Sequence, residues 1–223
     1  MHRQFPGGPP LAGLAAVSTA LFLTGLIAST AMAGTAFPSP FDSGASILVY
    51  FHSHQDAVKV SAFFQFAAAV PLAIYAATAS VRLRNLGIRA PGASIAFAGG
   101  VLAAVFLAVS GVVSWALAQP AVPASAPLVR ALCALSFAAG GPGSVVPLGL
   151  LIAGLAVPAA FGALLPRWLV ATGLILAVAA EFSSLCLLAS GFAYLLPVAR
   201  FGGLAWLITA GALLPTTRSR ASQ

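Results

Sequence analysis

Apolar runs of about twenty residues recur along this chain, each long enough to cross a hydrocarbon core of about 30 Å as a helix. No other feature limits the fold as strongly. The first run is residues 11–33, LAGLAAVSTALFLTGLIASTAMA, and the others fall at about 58–80, 93–118, 143–165, 168–190 and 194–214. Little polar sequence is left for a water-exposed globule. Only 6% of residues are charged, 61% are hydrophobic and the mean hydropathy is +1.05, whereas soluble domains carry roughly 25% charge. The sequence therefore predicts an all-α integral membrane protein. It forms a single transmembrane helical domain over 1–223, with the lipid bilayer as its first partner.

Residues 31–33, Ala-Met-Ala before Gly34, have the small-residue pattern of a signal-peptidase site. The apolar run before them is longer than a usual signal segment, so it is read as a retained first helix. Residues 128–165 are harder to divide. Two full spans there would leave almost no turn around Gly140-Gly141-Pro142-Gly143. The expectation is a half-depth or strongly kinked segment near 128–141, too short to span, followed by a helix over 143–165.

Charge supports six spans. The net charge of +7 does not point to nucleic acid, because nearly all the arginines flank apolar runs, where positive charge orients membrane helices. With six spans and both termini cytoplasmic, Arg3, Arg82, Arg84, Arg89, Arg167, Arg218 and Arg220 share the inner side, seven of the ten basic residues. Leu-Leu-Pro at 164–166, 195–197 and 213–215 reads as three helix stops. Cys133 and Cys186 lie in apolar surroundings without a CxxC, which makes them free buried thiols. Gly100, Ala104 and Ala108, with Gly99 and Ala103 one position over, and Gly149 with Ala153, space small residues by four. Such faces let helices approach closely, within the chain rather than across a dimer.

Three segments carry a resemblance: FHSHQDAVKVSAFFQFAAAVPLAIYAATASVRLRNLG, LVRALCALSFAAGGPG and LLPRWLVATGLILAVAAE. Together they resemble a bacterial family of small multi-pass membrane proteins, a DUF4386-like domain of unknown function. The likeness spans roughly residues 45–215 and implies a helical bundle in the bacterial inner membrane. It implies no activity.

The polar residues next to or within the apolar runs are the candidates for chemistry. In FHSHQDAVK, Ser53 fits an N-cap and Asp56 the N3 position of a capping box, with Lys59 three residues on. His52, His54 and Asp56 have an alternative reading as zinc or copper ligands, for which the sequence offers no fourth residue. Glu181 falls near the middle of the run 168–190, where a carboxylate costs at least about 2.5 kcal/mol unless paired, neutral or hydrated. It is either structural, paired with Arg130 or Arg200, or functional, a proton- or cation-binding group. Gln65, with Ser61 one turn earlier, faces into its helix among Phe51, Phe63, Phe64 and Phe66. It is expected to make one interhelical hydrogen bond within an aromatic belt, the alternative being a pocket for a lipid or quinone tail.

Enzyme templates lack parts. The chain has no H-E-x-x-H, no glycine-rich phosphate loop and no intramembrane histidine to act as a base for Ser144. The leading expectation is a non-enzymatic accessory or regulatory subunit that packs against other membrane subunits or a second copy of itself. The runner-up is a small-solute or ion transporter using Glu181. The third is a metal-binding or redox membrane protein using His52 and His54.

Overall fold

The computed structural model of the protein describes residues 8–88, 90–122 and 125–216. These residues form helices and their connections, and none of them is in a strand. The α-helices are α1 (Leu11–Ala33), α2 (Gly44–Ser53), α3 (Gln55–Asn85), α4 (Gly92–Leu117), α5 (Ala126–Ala138), α6 (Ser144–Phe161), α7 (Arg167–Ser183) and α8 (Leu195–Leu213). Six spans are long and apolar enough to cross a membrane. Five are built on α1, α3, α4, α7 and α8, and the sixth is the combined segment Ala126–Phe161. This is a multi-pass membrane protein.

The spans pack in chain order. α1 lies on α3, α3 on α4, α4 on α6, α6 on α7, α7 on α8, and α8 returns to α1, which closes a ring. Small residues allow these approaches. Gly100 meets Ala76 of α3, and a methyl group at Gly99 would stand 2.6 Å from the Leu151 backbone nitrogen. One at Gly149 would stand 2.5 Å from Ala180 Cβ. Gly99, Gly100, Ala103 and Ala104 are all buried, so this face packs within the chain. Side-chain hydrogen bonds to backbone carbonyls tie neighbours together. Ser18 of α1 donates to Ala68 O at 2.8 Å, Tyr75 of α3 to Leu207 O at 3.1 Å and Trp206 of α8 to Leu169 O at 2.7 Å. In hydrocarbon, where water supplies no partner, such bonds set register between helices that apolar contact alone would leave free to slide.

The region 126–161 is one broken helix. A straight helix of its 36 residues would be about 54 Å long, almost twice the hydrocarbon thickness. The break is a single π-helical turn at Ala139–Gly143, where Gly141 has φ −79° and ψ −109°. Pro142 lies inside it, and three glycines accept its unusual backbone. The expected kink is present: the backbone leaves helical geometry at Gly141 and regains it in α6, and α5 and α6 together make one span.

Other boundaries differ from the sequence reading. The connection between the apolar runs 11–33 and 58–80 contains α2, which Ser43 caps by accepting Ser46 N–H at 3.2 Å. Ile47, Tyr50 and Phe51 form its buried stripe, packed with Leu117, Val129 and Cys133. Ser53 is the last residue of α2, not a helix cap. The break before α3 falls at His54, with φ −126° and ψ 36° and no side-chain cap. Of the three Leu-Leu-Pro sequences the first follows the end of α6 at Phe161 and the last closes α8 at Leu213, whereas the second stands at a helix start. Leu195 opens α8 with Pro197 in its first turn, where the missing N–H costs nothing, and Pro166 is the N-cap of α7. Helix α7 ends at Ser183 and is followed by 3-10 turns at Ser184–Leu187 and Ser190–Tyr194. The expectations for Arg3, Arg89, Arg218 and Arg220 lie outside the described residues.

Candidate functional site

A cavity of about 430 Å³ opens between α1, α3, α4, α5 and α8. Its position follows from the ring. α8 meets α1 closely where Gly211 faces Leu11 and Ala12. Towards the other end Phe22 and Phe201 approach only to 6.2 Å between ring centroids, and space opens around them. The segment joining α1 to α2 covers this space with Phe37, Pro38 and Pro40. Phe41 anchors the cover through an edge contact with Phe137 at 5.5 Å. Gly34, at φ 67°, makes the left-handed turn out of α1 that starts the segment across.

One wall is polar. Gln65 Nε2 of α3 donates to Ser110 Oγ of α4 at 3.2 Å. Ser110 Oγ donates to Ser136 O at 2.9 Å, and the Ser114 and Ser136 hydroxyls lie 2.8 Å apart. The other wall carries Arg200, the one charged side chain in the lining among the described residues. Its Nη2 donates to Gly140 O and to Ser144 Oγ, the latter at 3.2 Å. Ser144 Oγ also donates to Gly140 O at 2.5 Å. The carbonyl that the π-turn releases from regular helical bonding is thus held by a guanidinium and a hydroxyl. Phe22 covers the guanidinium at 5.2 Å from its ring centre, a cation–π contact.

The other guanidinium nitrogens have no partner among the described residues. No buried side-chain nitrogen or oxygen there lacks a hydrogen bond, so these N–H groups face open space. Arg200 also lines a second, smaller cavity of about 30 Å³, with Ser18, Ser144 and Leu148. That is room for a water molecule. Arg200 therefore stands between an open outer chamber and a small space further into the bundle.

The structure distributes the expected site residues unevenly. Gln65 makes the interhelical hydrogen bond expected of it and also lines the cavity. Arg200 is in the site, bonded to the π-turn and not to Glu181. Glu181 is exposed on the outer face of α7, two residues from the helix end, so it is neither mid-helix nor in the bundle interior. Arg130 is exposed on α5 and lies against Gly44 of α2. Neither expected Glu181 ion pair forms, because the one ion pair among the described residues is Lys59–Asp56 at 2.9 Å. His52 is exposed, and His54 lies against Tyr50 with ring centroids 5.0 Å apart and the planes tilted by 53°. Burial raises the Tyr50 phenol above its ordinary pKa. Among the described residues no three His, Cys, Asp or Glu side chains gather to hold a metal ion. Of the cavity serines, Ser61 was singled out beside Gln65, whereas Ser110, Ser114 and Ser136 escaped the sequence reading. Their one signal was Ser110 and Ser114, spaced by four in the otherwise apolar SGVVS.

The chain matches no protein-family model, no curated protein and no solved structure.

Proposed function

We propose that this protein binds a small solute inside the membrane and passes it along the bundle, as a carrier does. The observation that carries this reading is the chamber of about 430 Å³ with Arg200 between it and a smaller cavity behind. Volumes of about 300–1,000 Å³ suit small-molecule sites. The π-turn in the wall supports motion as well as binding, since carriers place substrate against broken helices whose freed backbone lines a cavity. Arg82, Arg84 and Arg167 lie at the bundle end where α1 begins, which favours that end as cytoplasmic. The bacterial inner membrane is the location this reading assumes.

The test uses thiol accessibility in proteoliposomes. Cys133 lines the outer chamber and Ser18→Cys would line the inner one, both in a Cys186→Ser background. Passage requires Cys133 to react with an impermeant maleimide from one face and Ser18→Cys to react from the opposite face. Reaction at Cys133 alone would leave a blind binding pocket and end the carrier reading. Protection of both thiols from both faces would also end the carrier reading, leaving a chamber that only a solute dissolved in the bilayer could enter.

One observation favours a second reading, an accessory subunit with a membrane partner. Glu181 stands on the same exposed face as Leu174, Ile175, Val178 and Phe182. A carboxylate there is costly in lipid and would be relieved by a partner's cation. Native mass spectrometry of chain gently extracted from its own membrane tests this: a co-purifying chain lost in Glu181→Gln would support it, and a bare 22.3 kDa chain would not.

A further inference from the structure

Resting on the binding reading above, we infer that the solute is a monocarboxylate with an apolar body, held by the free edge of the Arg200 guanidinium and reaching the chamber sideways from the bilayer. Charge gives the first half. Arg200 is the one ionisable cation in the lining among the described residues, and no acid accompanies it there, so the chamber carries a single positive charge. A monoanion neutralises that charge. A phosphate dianion would bring a second negative charge that nothing in the chamber compensates, which is costly away from water.

Geometry leaves room for a carboxylate. A guanidinium carries five N–H donors, and both of its parallel N–H pairs include Nη2, so here a carboxylate oxygen takes single charge-assisted bonds from Nη1 or Nε. Here Nη2 is engaged by Gly140 O and Ser144, Phe22 covers one face, and the remaining N–H groups point into open space. Arg200 is thereby oriented before any ligand arrives, which lowers the ordering cost of binding.

The rest of the lining describes the body of the ligand. Phe22, Phe37, Phe137 and Phe201 supply aromatic surface, suited to an aryl or short acyl group. The serine–glutamine wall bonds mostly within itself. The access route lies between α1 and α8. Leu26 and Phe201 both line the chamber and are 41% and 40% exposed, so side chains do not seal the wall between these helices. At membrane depth an unsealed wall opens to hydrocarbon, which would make the gap a side door for an amphiphile.

The experiment uses the full chain in lipid nanodiscs, with empty nanodiscs as the partition control. The probes are 3-phenylpropionate, its uncharged amide and 2-phenylethyl phosphate, each titrated calorimetrically. The expected result is saturable binding of the carboxylate at least about tenfold tighter than the amide, the margin a charged hydrogen bond adds over a neutral one. Arg200→Gln should erase that margin, and Arg200→Lys should keep part of it. Equal binding of carboxylate and amide to the wild-type protein would overturn the inference and leave the cavity as a binding site. Tighter binding of the phosphate would overturn it in favour of a dianion. No saturable binding of any probe would sink both the inference and the reading beneath it. The wild-type comparison decides even if a variant fails to fold.

Discussion

Replacing Arg200 with Met separates a charge kept for binding from a charge kept for structure. Met is also long and unbranched, so the change removes the cation with little loss of volume. Two opposing terms set the cost. Arg200 gives up its bonds to Gly140 O and Ser144 Oγ, and hydrogen bonds to charged groups contribute about 1.5–3 kcal/mol. The contact with Phe22 at 5.2 Å adds about 0.5–1 kcal/mol. The Gly140 carbonyl is not stranded, because Ser144 still donates to it at 2.5 Å. Against this stands the cost of an arginine within the membrane, about 2.5–3.5 kcal/mol at mid-depth. Arg200 is five residues into α8, roughly 8 Å along the helix, and faces an open chamber, so the lower end of that range applies. At the lower end of each range the two bonds and the ring contact come to about 3.5 kcal/mol against about 2.5, so stability should fall by about 1 kcal/mol. Reversible SDS unfolding of the full chain in mixed micelles, followed by far-UV circular dichroism, measures it. A loss above about 3 kcal/mol, the scale for breaking a buried charged contact, would refute the reasoning. It would make Arg200 a clamp on the π-turn.

Other perturbations test the packing and the outlying residues. Gly100→Val forces α3 and α4 apart at Ala76 and should cost at least about 1–3 kcal/mol in the same unfolding assay. Tyr75→Phe removes the bond to Leu207 O and should cost about 0.6–1.7 kcal/mol. Glu181→Gln alters an exposed residue and should shift the stability of the purified chain by no more than about 0.5 kcal/mol; a larger loss would reveal a pairing the fold does not show. Substituting His52→Ala and His54→Ala together should leave metal content, read by elemental analysis of protein prepared without chelator, equal to wild type.

The difference between the legible and illegible parts has a physical basis. Residues 11–33 could be bounded from sequence because hydrocarbon thickness fixes the length of apolar chain that crosses it, and α1 occupies Leu11–Ala33. The break at Gly140-Gly141-Pro142-Gly143 was equally legible, since glycine and proline act on the backbone locally. Helix α2 was not, because ten residues between polar neighbours give too short a periodic signal. Glu181 misled for a related reason: its depth was inferred from a run assumed helical to 190, whereas α7 stops at Ser183.

Sequence alone determined that the chain lives in a membrane, how many times it crosses and where its helix breaks, because each of these depends on residues adjacent along the chain. Only the tertiary structure decided which polar groups meet. Gln65, Ser110, Ser136 and Arg200 belong to four different helices. Their convergence on one chamber depends on how far α1 and α8 diverge above Phe22 and Phe201, a matter of ring closure that no local spacing records.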